Sequence, residues 1–185
     1  MKRLKNCTPH GLKKTIKMCF FLFLGLFGVF SPSAHAQQSP FLVFQDASSE
    51  LYGFKDAKDT VRIPARYTYY MYDTFYTWQL NFVVSDTGWV AINAKGEHLF
   101  SPFLFENVPE GGPSDGMYRV KHRGKIGYAN AEGNIVIPPQ YPCGYGFANG
   151  KANVALECQT LYEGEHYRWE SNDWFYIDKY NRRVE

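Results

Sequence analysis

One layout returns along this chain at a constant step, and it limits the fold more than any other feature. Gly53-Phe54-Lys55-Asp56 leads to Ile63-Pro64 and Tyr67, and 74 residues later Gly127-Tyr128-Ala129-Asn130 leads to Ile137-Pro138 and Tyr141. Asn93-Ala94-Lys95-Gly96 stands midway, 37 residues from Asp56-Ala57-Lys58-Asp59 and 37 from Asn130-Ala131-Glu132-Gly133. A fixed step of this size marks supersecondary units that bury their apolar faces by packing on their neighbours.

Each copy reads as a hairpin closed by proline. In the third, Ile126-Gly127-Tyr128-Ala129 is a strand, Asn130 to Gly133 a turn, and Asn134-Ile135-Val136-Ile137 the returning strand, ended by Pro138-Pro139. Asn starts the turn and Gly133 supplies the positive φ, while proline cannot donate to a central ladder. The second copy runs from Trp89 through Gly96 to Phe100, and the first from Tyr52 to Pro64, with Asp59 at the left-handed position. A third strand is expected after each hairpin: Leu80–Val84, Met117–Val120 after Gly116, and Lys151–Leu156 after Gly150. No long apolar stripe at helical spacing occurs between residues 41 and 185. The predicted fold is therefore all-β, with short antiparallel hairpins or three-stranded units at a 37-residue period in a propeller-like or solenoid-like array.

Trp174-Phe175-Tyr176-Ile177-Asp178 opens a fourth hairpin, displaced by an insertion around Gln159–Ser171. With the sequence ending at Glu185, this last piece is expected to pair with the edge of the first unit or to cap the array.

Residues 1–36 read as a secretory signal peptide. Met1–Lys17 carries six Lys/Arg and no acid, Met18–Phe30 is apolar, and the segment ends Ala34-His35-Ala36, so cleavage is expected after Ala36. The 13-residue apolar run is short for a bilayer, which needs about 20 residues. No integral membrane span is therefore expected after cleavage. Residues 37–185 form one predicted domain, secreted or periplasmic, holding 14 basic and 18 acidic residues. The basic excess of the full chain belongs to the leader, so nucleic acid is a poor candidate partner. The densest basic stretch, Arg119 to Lys125, reads as the solvent face of a strand pair. Cys143 and Cys158 remain in the domain and, in an oxidising compartment, are candidates for a disulfide or for two free buried thiols.

These residues resemble the repeat of the bacterial WG-repeat proteins. The frame appears as Ile126-Gly127-Tyr128, Gly133, Val136-Ile137-Pro138, Tyr141, Phe147 and Gly150. Gly53 and Pro64 in the first copy, Trp89 and Gly96 in the second and Trp174 in the fourth are further matches. The second copy lacks the motif glycine, and Phe175 occupies it in the fourth. The resemblance covers roughly residues 51–180, and only the third copy is near complete. It implies a repeat scaffold, used to bind another protein or a cell-envelope component, and it supplies no catalytic residue.

Chemistry is sparse. His98, His122 and His166 form no H-x-H or H-E-x-x-H pattern, no G-x-S-x-G elbow occurs, and no cofactor or metal is expected. Several carboxylates, among them Asp56, Glu132 and Asp178, fall in turns that account for them. Aromatic density is the one feature with functional content: Tyr67–Trp78 holds seven aromatics in twelve positions, and Tyr162–Tyr180 adds more. Tyr69, Tyr72, Tyr76, Trp78, Tyr167 and Trp169 are the candidate contact residues, since such rings serve protein interfaces, sugar stacking and cores alike. The chain is read first as a non-catalytic binding or structural module with an envelope or secreted protein as partner. Carbohydrate or peptidoglycan binding through an aromatic platform comes second, and an envelope hydrolase using unpaired carboxylates third.

Overall fold

The computed structural model describes residues 39–164 and 166–185, and the expected leader lies outside the described residues. All regular structure in the described residues is β. In chain order the strands are β1 (Phe41–Gln45), β2 (Tyr52–Lys55), β3 (Val61–Tyr67), β4 (Tyr69–Tyr70), β5 (Thr74–Phe75), β6 (Asn81–Ser85) and β7 (Gly88–Ile92). There follow β8 (His98–Phe100), β9 (Leu104–Phe105), β10 (Val108–Pro109), β11 (Met117–His122), β12 (Lys125–Asn130) and β13 (Ile135–Tyr141). The last are β14 (Cys143–Gly144), β15 (Lys151–Ala155), β16 (Gln159–Glu163), β17 (His166–Glu170), β18 (Phe175–Asp178) and β19 (Arg183–Val184).

Four antiparallel sheets share one strand plan: outer, inner, motif and return. The orders are β5-β1-β2-β3, β4-β6-β7-β8, a segment at Ser101–Phe103 beside β11-β12-β13, and β14-β15-β18-β19. The Ser101–Phe103 segment joins β11 through a Pro102–Val120 bridge and the bonds Phe103 N to Arg119 O and Lys121 N to Ser101 O. The unit expected from the sequence, a hairpin plus the strand after it, is thus divided between sheets. Past Tyr67, Phe100 and Tyr141 the chain leaves one sheet and becomes the outer strand of the next. Covalent continuity therefore fastens each sheet to its successor. Displaced as it is, the fourth hairpin completes its own sheet on β14 and β15, and β19 does not pair with the first sheet.

The four motif hairpins turn on one device. An Asp or Asn side-chain oxygen accepts backbone N–H groups of its own turn: Asp56 from Lys58 and Thr60 at 2.8 and 3.0 Å, Asn93 from Lys95 and Glu97 at 2.9 and 3.1 Å. Asn130 accepts from Asn134 at 2.8 Å, and Asp178 from Tyr180 and Arg182, each at 2.9 Å. Three residues on, the chain is left-handed at Asp59, Gly96, Gly133 and Asn181, with φ of 59°, 75°, 90° and 62°. Those residue types tolerate that region best. Asp59 holds the position expected of it.

The motif glycine has a different cause. The return strands β3 and β13 bulge across the motif strand at their Ile-Pro step. A Cβ on Gly53 would lie 2.6 Å from Ile63 O and Ala65 N, and one on Gly127 2.5 Å from Ile137 O and Pro139 N. Return strands β8 and β19 are short, and Val90 and Phe175 stand where the glycine would be.

Alternate side chains of each sheet face opposite neighbours, and three core clusters result. Phe54, Ile63 and Phe75 of the first sheet meet Val83, Val90 and Ile92 of the second. Phe82, Ala91 and Phe100 of the second meet Tyr118, Val120 and Ala129 of the third. Tyr128, Ile137 and Tyr141 of the third meet Ala152, Val154 and Ile177 of the fourth. Among the described residues, packing thus runs between consecutive sheets in chain order, the nearest-neighbour arrangement of repeat proteins.

Candidate binding groove

The inner and motif strands of each sheet are joined at one end, and the four connections differ. In the second sheet the link is Asp86-Thr87, and in the third it is Arg123-Gly124, both with positive φ at 49° and 76°. In the fourth, the same link has grown into the two-stranded ribbon β16–β17, which occupies the insertion seen in the sequence. Insertions in a repeat collect in loops on one face, commonly the face that binds.

A groove of about 640 Å³ lies between the second sheet's link and the ribbon. Gly88 and Trp89 come from the second sheet, Lys121 from the third, His166 and Tyr167 from the ribbon, and Phe105 from the small hairpin β9–β10. That hairpin turns through Glu106 and Asn107, both left-handed, and the Trp89 indole N–H donates to Asn107 O at 3.1 Å. Trp89 therefore serves as both wall and tether. Its ring also meets Tyr69 edge-on at 5.9 Å.

The ribbon wall is anchored from behind. Trp169 packs on Phe103 at 5.8 Å and on Tyr145 at 5.3 Å, and Tyr167 follows Trp169 at 6.0 Å. At the ribbon's neck the Asp173 carboxylate accepts from the backbone N–H of Leu156 and Glu157, both at 3.2 Å, and from the Ser171 hydroxyl. The hydroxyl bond is the main reason that the Asp173 pKa is lowered. Cys143 of β14 and Cys158 at the neck form a disulfide with Cα atoms 6.0 Å apart.

The six aromatic candidates do not make one surface. Tyr167 lines the groove, and Tyr69 reaches it only through its edge contact with Trp89; both are exposed. Tyr72 and Trp169 are half-buried: the Tyr72 hydroxyl donates to Gly111 O at 2.6 Å, and Trp169 packs on the third cluster of core residues. Burial raises the pKa of Tyr72 and of Tyr167. Tyr76 and Trp78 stack on each other at 5.4 Å and 28°, with no ring contact to the groove. Phe105, 53% exposed, was not among the sequence candidates, although apolar residues flanking Glu106-Asn107 carry a hairpin signal. Lys121 and His166 are 45 positions apart in sequence and meet only through the stacking of the third and fourth sheets.

Residues 126–157 match a family model described as WG containing repeat. The matched stretch runs through β12, β13, β14 and β15, so one sequence repeat supplies two strands to each of two sheets. No curated protein and no solved structure matches the chain.

Proposed function

We propose that this chain is a non-catalytic binding module of the bacterial cell envelope, which holds a partner protein in the groove between the β9–β10 hairpin and the β16–β17 ribbon. The observation that carries this is the convergence of two irregular hairpins on one aromatic-walled groove in an otherwise periodic scaffold. Phe105 and Tyr167 give it exposed apolar area, which on a protein surface marks an interaction site. Placement in the periplasm or outside the cell follows from the leader read in the sequence and is supported by the disulfide, a bond favoured in oxidising compartments.

Photocrosslinking tests this reading: a benzophenone amino acid is placed at Phe105 or Tyr167, and at Lys58 as a distant control. Specific adducts are expected from the first two positions in cells that make the protein. Adducts equal to those from position 58, or none, would contradict the groove.

Glycan binding is favoured at one separate place. Tyr76 and Trp78 present stacked rings, with Trp78 78% exposed, the geometry on which a sugar face can lie. Titration of the protein with peptidoglycan fragments should then quench tryptophan fluorescence saturably and fail to do so in Trp78→Ala.

A further inference from the structure

We propose that a cavity at the edge of the third sheet, separate from the groove, binds a free α-amino acid with an apolar side chain. The cavity measures about 190 Å³ and shares only Pro102 with the groove lining. Drug-sized ligands take roughly 300 Å³ or more, so this space suits a molecule the size of one residue. Gly112 and Ser114, both exposed, give it an opening.

Tyr118 of β11 lines the cavity and is only 7% exposed, yet its hydroxyl has no hydrogen-bond partner among the described residues. No fully buried side-chain oxygen or nitrogen of the described residues lacks a partner, so this hydroxyl opens onto accessible space. A polar group left open in so buried a side chain marks a place where a ligand can complete the bonding. Burial, with the nearby Tyr72 adding to it, pushes the Tyr118 pKa up to about 12. The group therefore stays an O–H that can both donate and accept.

Two opposite charges stand beside it. Arg119, its side chain 9% exposed, and Glu110, 37% exposed, line the cavity as an ion pair. Nε and Nη2 of Arg119 each give one bond to Glu110 and Nη1 one to Gly144 O, which leaves two of the five guanidinium N–H donors uncommitted. The Ser114 hydroxyl donates to Phe147 O at 2.5 Å and keeps its lone pairs for a ligand. Phe82, Phe103 and Met117, all buried, make the apolar wall.

This lining narrows the ligand. An ion of one sign would meet a like charge at Glu110 or at Arg119, and a sugar would leave hydroxyls against the apolar wall. A zwitterion with an apolar side chain meets every feature: its ammonium goes to Glu110, its carboxylate to Arg119 and the Tyr118 hydroxyl, and its side chain to Phe103 and Met117.

Isothermal titration calorimetry of the purified protein tests this with L-leucine and L-methionine. Comparison probes are leucinamide, which lacks the carboxylate, N-acetyl-leucine, which lacks the ammonium, and glucose. Both amino acids should bind saturably, and each capped form at least about tenfold more weakly. Tyr118→Phe should lower leucine affinity about tenfold while melting no lower than wild type, because the hydroxyl it removes is unbonded in the free protein. Glu110→Gln should weaken leucine but not N-acetyl-leucine, and Tyr167→Ala in the groove should bind leucine like wild type. No binding of either amino acid, equal binding of the capped forms, preference for glucose, loss of leucine in Tyr167→Ala, or undiminished affinity in Tyr118→Phe overturns the proposal.

Discussion

The guanidinium of Arg119 lies 3.9 Å from the centre of the Phe103 ring, which makes one residue of β11 the joint between the third sheet, its outer segment and the ribbon wall. Its Nε donates to Glu110 at 2.8 Å, a second nitrogen pairs with the other Glu110 oxygen, and Nη1 donates to Gly144 O at 2.9 Å. All three nitrogens of the guanidinium are thus engaged, and the Trp169 ring centre lies 6.0 Å away.

Arg119→Ala should lower stability by about 2–3 kcal/mol, because it strands Glu110 and Gly144 O and removes the stacking partner of Phe103. Arg119→Lys keeps the charge but not the fork and should recover only part of that loss. Urea unfolding measures both, and a cycle with Glu110→Gln isolates the pair.

Gly127→Ala should be costlier than its chemistry suggests. The added methyl group would sit 2.5 Å from backbone atoms of β13, which cannot move without breaking the bulge, and a loss of about 2–3 kcal/mol is expected. Gly124→Ala meets open space at φ +76°, so only the left-handed penalty of about 1 kcal/mol applies. Thermal melts of the two variants should rank in that order.

Removal of the disulfide should loosen the ribbon before it unfolds the sheets. Cys143 and Cys158 are 15 positions apart, and closing a loop of that size stabilises by about 3 kcal/mol through the unfolded chain. In the double variant Cys143→Ala, Cys158→Ala, limited proteolysis should cut first within residues 156–173, where Asp173 alone then holds the neck.

Stability should decline in acid and stay level near neutrality. The Asp46 carboxyl is lowered from 3.8 to about 2 by bonds from the hydroxyl and backbone N–H of Ser48 and Ser49. In Asp56 and Asp178, desolvation pushes the pKa up, but the combined bonds and charge of Arg62 and Arg182 and the turn N–H groups outweigh it, and both end lowered. A carboxyl whose folded pKa lies below its unfolded value adds stability that is complete above the unfolded pKa and lost as pH falls through the folded one. Denaturation midpoints should therefore be level above about pH 5 and fall from about pH 4 toward 2. The double variant Asp56→Asn, Asp178→Asn copies the turns at Asn93 and Asn130 and should show a shallower decline.

The hairpins were legible because each is local: Asp or Asn, then a left-handed residue, then a strand. The expected stop at proline failed, since β3 and β13 run on through Pro64 and Pro138-Pro139 to Tyr67 and Tyr141 by bulging. The ownership of the following strand was not. Lys151–Ala155 reads the same whether it returns to β12 or pairs with β18, because that choice is made by partners distant in sequence and by the faces the cores require. For the same reason the aromatic strip divided. Tyr67 and Phe75 went inward, β4 and β5 became outer strands of two different sheets, and Tyr69 alone of the strip's candidates touches a groove wall, Trp89. Phe105 was passed over because its hairpin has strands of only two residues, too short for alternation to show.

Co-purification from the native source tests the central claim most directly, with partner recovery compared between wild type, Phe105→Ser with Tyr167→Ala, and Lys58→Gln with Lys95→Gln. One partner protein should be recovered with wild type and with the lysine variant and lost from the groove variant while its fold is intact. Equal recovery of the same partner with all three would contradict the groove as the site of binding.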